Sequence, residues 1–391
     1  MTSQKASTTT ADGLVAILSE LIARPSHYPP GDTREICAYA AERLNKAGYA
    51  VETLSRTDTW DNVVARLGKG QPSLVFNAHA DTVGVGEREK WKTDPFKAHV
   101  EDGKVFGLGA GNCKGSMAVQ IWLAEEVARR GGPAKGEVVF TFVADEEHLG
   151  PDGMFYLRET GKVKPTWLVL GAQTENQMIT EERGILWARI TTHGRAAHAG
   201  KPDAGDNAIL RMMRVLDALH RDLSPKLAGR VAGDKKSTIN LGRIQGGHNT
   251  NVVPSHCFAE IDRRLLPEEK VGEAFAEMKE ILLALDEPTG TVEIEFLTGT
   301  NGFTAPKDGE GVKAFAAAIE SVTGKPARFL NATGVSDGRY FADDGIEILN
   351  LGPGSGAEGH AANESVPIAE MVESARIQLM AVEKLLGLKR S

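Results

Sequence analysis

LVFNAHADTV, residues 74–83, is the stretch from which the rest of the chain can be read. An apolar run of strand character ends there, and His79 and Asp81 follow at once. In an open α/β sheet, ligands and chemistry sit just beyond the carboxyl ends of the strands. A His whose ring is oriented by a carboxylate two residues on is a common metal-ligand arrangement, because the acid fixes the tautomer and raises the basicity of the ring. Taken alone, the same pair also fits a surface loop with an incidental His.

Three more strand ends change that balance. In EVVFTFVADEEHLG, Val138–Val143 reads as a buried strand, followed by Asp145, Glu146 and Glu147. Adjacent carboxylates repel, and a solvated acidic loop is the plain alternative. Neighbouring residues point to different sides of a site, however, so one acid can be a ligand and the next a general base. The third strand end is WLVLGAQTEN, residues 167–176. The fourth is IEILNLGPGSGAEGHAANE, where a strand near Ile346–Leu351 runs into a Gly/Pro loop carrying His360. A His, an acidic cluster and a second His thus stand at the ends of different strands.

The composition fits this reading. The chain has 391 residues, 41% hydrophobic and 25% charged, ordinary for a globular protein and enough for two domains. Net charge is −8, with no basic tract, which argues against a nucleic-acid partner. Three cysteines, Cys37, Cys113 and Cys257, argue against a disulfide framework and for a reducing compartment. The polar start MTSQKASTTTADG has no apolar core of a signal peptide, and no run reaches membrane-spanning length. The expectation is a cytoplasmic protein with no membrane partner, whose first ten or so residues fray.

Up to about residue 178 helices and strands alternate, which predicts a mostly parallel sheet with helices packed against it. The order then changes. Strands at Gly184–Thr192, Ser237–Ile244, Cys257–Arg263 and Thr291–Leu297 interleave with helices at Asp206–Leu223 and Pro267–Leu285. That is β-α-β-β-α-β, the ferredoxin-like pattern. The fold class expected is α/β: a discontinuous catalytic domain, residues 1–181 and 299–391, with an α+β lid or dimerisation domain inserted at 182–298.

At these residues the chain resembles the co-catalytic zinc amidohydrolases and carboxypeptidases that include glutamate carboxypeptidase, acetylornithine deacetylase, succinyl-diaminopimelate desuccinylase and aminoacylase. The resemblance covers nearly the whole chain. It rests on His79-Ala-Asp81-Thr-Val, on GLGAGNCKGSMA (107–118), on Asp145-Glu-Glu147 and on GRAAHAGKPDAGDNAI (194–209). GRIQGGHNTNVVP (242–254), Asp262-Arg-Arg264-Leu-Leu-Pro267, Gly334-Val-Ser-Asp337 and His360-Ala-Ala-Asn-Glu364 complete it. The resemblance implies that His79, oriented by Asp81, binds one metal and that Glu147 and His360 bind the other. Glu146 is then the general base. His198, Asn251 and Arg264 of the lid hold a small carboxylate-bearing substrate. A homodimer through the lid is implied too, with His198 of one subunit reaching the other's site.

Two positions depart from the family pattern. The bridging ligand should be Asp, and Asn112 stands there; the carboxylate after the third strand should be Glu, and the position is Ala172. A neutral amide bridges two dications poorly, and like charges about 3.5–4 Å apart need that bridge. The expectation is zinc or another divalent metal, at most one per chain, on Glu147, His360 and Asn112, or no metal at all. Glu175, Cys113 and His148 are the candidate replacement ligands. Three functional readings follow. The first is an amide hydrolase with a reduced metal site. The second is a metal-independent enzyme of another class using Glu146 for proton transfer. The third is a non-catalytic homologue that binds a small carboxylate. The retained Glu146, His198, Asn251 and Arg264 favour the first two.

Overall fold

The computed structural model describes residues 2–233, 235–332 and 334–389. Contacts divide the chain into two units. The first is residues 1–180, 304–331 and 336–391; the second is 181–303 with 332–335. The inserted unit therefore runs slightly further at its C-terminal end than the 182–298 read from strand order, and it takes in a short return segment that no local signal marks.

In chain order the first unit opens with helices α1 (Thr2–Ile22) and α2 (Arg34–Lys46), so the polar leader is helical rather than frayed. Strands β1 (Ala50–Ser55), β2 (Asp61–Gly68) and β3 (Ser73–His79) follow, then helix α3 (Lys114–Arg129), β4 (Glu137–Val143) and β5 (Trp167–Leu170). The second unit supplies β6 (Gly184–His193), α4 (Ala208–Ala228), β7 (Thr238–Gly246), β8 (His256–Leu265), α5 (Val271–Leu283) and β9 (Val292–Thr300). The chain returns through α6 (Glu310–Thr323), β10 (Glu347–Asn350) and α7 (Ile368–Leu386), which Gly387 terminates.

The sheet of the first unit has the order β10-β5-β3-β4-β2-β1. The first four strands are parallel and the last two antiparallel. Every residue of β3 and β4 is buried, as continuous apolar runs in the middle of a parallel sheet should be. Phe76 and Phe140 face each other in register and stack at 5.3 Å between ring centroids. Because the strands are parallel, their carboxyl ends meet at one edge: His79 stands opposite Val143, and Asn77 opposite Leu170. The candidate residues after β3, β4, β5 and β10 are brought together by this register and by nothing local.

The second unit is an antiparallel sheet of order β7-β8-β6-β9, the ferredoxin-like arrangement. One face of alternating residues, including Leu186, Ala188, Ile190, Ala259 and Ile261, packs on Met212, Val215, Leu219 and Met278 of the two helices. Asn207 caps α4 by accepting from the backbone N–H groups of Ile209 and Leu210. Helix α5 begins at Val271, not at Pro267, because β8 runs on to Leu265 and a turn occupies the residues between. On α4, Met212 and Val215 are core while Met213 is exposed. The edge strand β7 is largely exposed and carries Leu241 and Ile244 outward.

Candidate active site

His79 closes β3 and is 6% exposed. Its Nδ1 lies 3.0 Å from the backbone carbonyl oxygen of Asp81 and 3.5 Å from Asp81 Oδ1. The expected orienting acid thus acts first through its main chain. Its carboxylate also does something else. Oδ2 accepts the backbone N–H of Glu147 at 3.1 Å, which ties the β3 end to the acidic loop after β4.

That loop separates its three acids. Asp145, at positive φ, turns away from the others and accepts the N–H of Asp152, and its Oδ1 is 3.4 Å from His148 Nδ1. Burial pushes Asp145 up to about 6. Gly150 is needed in this turn, because a Cβ there would collide with the Asp145 carboxylate. The His148 ring lies tilted against Tyr28, centroids 4.6 Å apart, with its Nδ1 toward Asp145. Glu146 and Glu147 point the other way. His79, Glu146 and Glu147 offer ligand atoms that all lie within 4.8 Å of one another, the group among the described residues whose chemistry fits a cation. Burial pushes Glu146 up to about 8; His79 opposes this, and Glu147 and Asp337 add to it.

Asn112 stands in the middle of the site. Its Oδ1 lies 3.3 Å from His79 Nε2, its Nδ2 donates to Glu147 Oε1 at 2.8 Å, and the same Nδ2 is 2.9 Å from His360 Nε2. A neutral amide thus faces His79 with its oxygen and Glu147 and His360 with its NH2. Glu147 Oε1 is also 2.9 Å from His360 Nε2, and this contact raises the pKa of His360. His79 is held charged more readily than usual: burial opposes it, and Cys113, Glu146 and Asp81 together outweigh burial.

Buried Glu364 fixes the Asn112 loop. It accepts backbone N–H groups from Gly109, Gly111 and Asn112 at 2.9, 3.1 and 2.6 Å. Nothing in the sequence marks Glu364 beyond its place at the end of a motif. Among the replacement ligands, Glu175 is exposed and lies 4.0 Å from Arg328. Cys113 turns its thiol to the β5 end. Its Sγ donates to the Gly171 carbonyl at 3.4 Å. Ala172 offers no side-chain donor.

The second unit brings some of the expected substrate residues together and not others. His198 and Asn251 lie on adjoining segments, with His198 bridged to Val252 and the Ala199 N–H on the Asn251 carbonyl, and both are exposed. Arg264 is elsewhere. It pairs in register with Ile185, whereas His256, at the His198 end of the sheet, pairs with His193. Eight positions along β6 separate the two ends, roughly 27 Å at strand rise. The Arg264 guanidinium makes a two-pronged contact with Asp262 at 2.8 and 3.0 Å, and Asp262 also accepts from Trp187 Nε1.

Comparison with known proteins bears on this arrangement. Residues 180–289 match the family described as the M20 peptidase dimerisation domain, and residues 62–174 match the one described as peptidase family M28. Succinyl-diaminopimelate desuccinylase of Bordetella petrii is 30% identical, over 96% of this chain and 99% of that one. The Nitrosococcus oceani enzyme of the same name is 30% identical over 88% and 92%. Among solved structures, the M20 family metallo-carboxypeptidase Sso-CP2 from Sulfolobus solfataricus superposes with a TM-score of 0.78, at 18% identity, over 96% of this chain and 99% of that one.

Proposed function

The chain belongs to the M20 peptidase family, in which the succinyl-diaminopimelate desuccinylases fall, and is a hydrolase of amide-type bonds; on that premise we propose that it cleaves a C–N bond in a small carboxylate-bearing substrate, with Glu146 as general base and at most one divalent ion per chain. The observation that carries this reading is the Glu146 carboxylate, clustered with His79 and Glu147 and with its pKa raised to about 8 by burial. A base poised near the working pH is the most effective one.

The donors fit one ion and not two. Glu147 and His360 stand together and would hold zinc or another divalent metal. The His79 side lacks a terminal carboxylate because Ala172 has none, and Asn112 brings no charge to a shared position. When bound, the ion polarises a carbonyl and makes water more acidic. Glu146 receives the water proton and returns it to the leaving nitrogen. His79 fixes one edge of the Glu146 carboxylate, with Nε2 3.9 Å from Oε2.

Arg264, Asn251 and His198 are proposed to hold the substrate carboxylate. A single second unit keeps Arg264 far from the other two. This supports a homodimer in which one protomer supplies Arg264 and its partner the His198–Asn251 pair. The M20 dimerisation match and the exposed edge strand β7 support the same assembly. One observation favours a metal-free version of the site: Asn112 Nδ2 donates to Glu147 Oε1, and His360 Nε2 lies 2.9 Å from the same oxygen, where an ion would lie.

The deciding experiment has two parts. Elemental analysis of protein purified without added metal, followed by activity on N-succinylated diamino acids and dipeptides before and after chelation, reads the ion count. Glu146→Gln keeps the shape and removes the basicity, and should lower kcat by at least about a hundredfold. Two tightly held ions per chain, or near-normal turnover in Glu146→Gln, would overturn the corresponding half of the proposal. A monomer in sedimentation at micromolar concentration would overturn the shared substrate site.

A further inference from the structure

We propose that Arg339 is a positioning residue for Glu146, a role that rests on the hydrolase reading above. Arg339 lies on the short helical turn Asp337–Phe341 and is 5% exposed. Its guanidinium is held on three sides. Nη2 donates to the Tyr340 hydroxyl at 2.9 Å, and the guanidinium carbon sits 4.4 Å over the Tyr340 ring. Nη2 is also 3.9 Å from Asp337 Oδ1. The fourth side is open: Nη1 is buried with no hydrogen-bond partner, and it lies 3.9 Å from Glu146 Oε1.

Both neighbours of Arg339 lead back to the site. The Tyr340 hydroxyl donates to the carbonyl of Gly150, which closes the loop that carries Glu146. Asp337 Oδ2 accepts from Asn77 Nδ2 on β3, two residues before His79. The guanidinium is therefore fixed relative to both strands that build the site.

A guanidinium stays protonated at any working pH, so a buried one requires carboxylate charge nearby. Asp337 and Glu146 are the carboxyl groups that face it, each at 3.9 Å. The Glu146 carboxylate stands between the Arg339 guanidinium, toward Oε1, and the His79 imidazole, toward Oε2, each at 3.9 Å. Neither is at hydrogen-bond distance. A bidentate Arg–carboxylate fork would occupy the lone pairs that a base needs. Attraction across 3.9 Å orients the carboxylate and leaves those lone pairs free for the proton of water. Arg339 itself exchanges no proton and touches no reacting atom.

The test is a double-mutant cycle on hydrolysis of N-succinylated diamino acids and dipeptides, with a melting temperature for every variant. Arg339→Met should lower kcat by at least about tenfold with KM within about twofold, since misplacing a reacting group by an ångström costs on this scale. Arg339→Lys keeps the charge and should recover part of the loss. In the Glu146→Gln background, Arg339→Met should cost nothing further, because it acts through the group already removed. A purely structural role would instead multiply the two losses. Should Arg339→Met fail to fold, Arg339→Gln, which removes the charge and keeps a polar head, decides the matter: unchanged kcat overturns the proposal. So does a crystal structure of either variant with the Glu146 carboxylate unmoved. Crippled Glu146→Gln beside normal Arg339→Met overturns this inference alone. Near-normal Glu146→Gln overturns the hydrolase reading, and this one with it.

Discussion

Asn112 Nδ2 donates to Glu147 Oε1 at 2.8 Å, so the side chain proposed for the bridging position turns a hydrogen-bond donor toward a candidate ligand carboxylate. An acid in its place would repel Glu147 in the absence of an ion and share one in its presence. That contrast separates a site adapted to one ion from a site built for two.

Asn112→Asp should therefore bind divalent metal more tightly and depend on it more. The expected outcome is a melting temperature below that of the parent protein after chelation and above it with zinc, and a zinc affinity at least about tenfold higher from the added charged ligand. Asn112→Asp combined with Ala172→Glu should hold two ions by elemental analysis. Identical zinc titrations for parent and variant would remove Asn112 from the ion site.

Glu147→Ala should release any ion that the parent protein holds. Glu147 supplies the one charged ligand proposed for that ion, and metal affinity follows the charge of the donor set. The measurement is metal content after dialysis, with circular dichroism to show that the fold is intact. Retained metal would shift the assignment to His79 and Glu146.

Glu364→Ala should destabilise the protein without touching the acidic cluster. Three backbone N–H groups lose one shared acceptor, and each buried donor left unsatisfied costs about 1–3 kcal/mol before water enters. Urea unfolding should show a lowered midpoint. Metal affinity should fall as well, because Asn112 sits on the loop released. A variant as stable as the parent would show that water replaces the carboxylate at no cost.

Lys114 gives a pH signature. It is 1% exposed, donates to the Arg24 carbonyl at 3.0 Å, and burial pushes it down to about 7. Below about pH 7 the amine is charged in both states, and the folded state bears the full penalty. Above about 10.5 it is neutral in both, and the penalty is gone. Between these limits the unfolded chain binds more protons, so this group makes stability rise with pH. The rise spans at most about 4–5 kcal/mol. Lys114→Met should flatten it, and the variant should be the more stable protein at neutral pH. Unfolding free energies of both proteins at about pH 7 and about pH 9, inside that window, check this; parallel curves would show that Lys114 is already compensated.

Arg264→Ala should raise KM strongly and leave the fold intact. Its guanidinium is held in a two-pronged pair with Asp262, which would orient it for a substrate carboxylate under the proposed role. Asp262→Asn should weaken binding in the same direction but less. An unchanged KM in Arg264→Ala would make the Arg264–Asp262 pair purely structural.

The sequence by itself determined the local facts. Continuous apolar runs made β3 and β4 strands, Gly387 ended α7, and the change from alternating units to β-α-β-β-α-β marked the inserted unit. These follow from side-chain periodicity and turn chemistry within a few residues. They were enough to place His79, Glu146, Glu147 and His360 at strand ends. Only the tertiary structure decided where those side chains point and what meets them. Asp145 turns away from Glu146 because a positive φ redirects the loop. Cys113 turns to the Gly171 carbonyl while Asn112 beside it turns to His79. Glu175 is carried out to Arg328, and Arg264 lies at the far end of its sheet from His198. Arg339 reaches Glu146 from a distant part of the chain. Loop side-chain directions have no period, and contacts between distant segments depend on sheet order and register. That is why strand ends were legible in the sequence and the wiring between them was not.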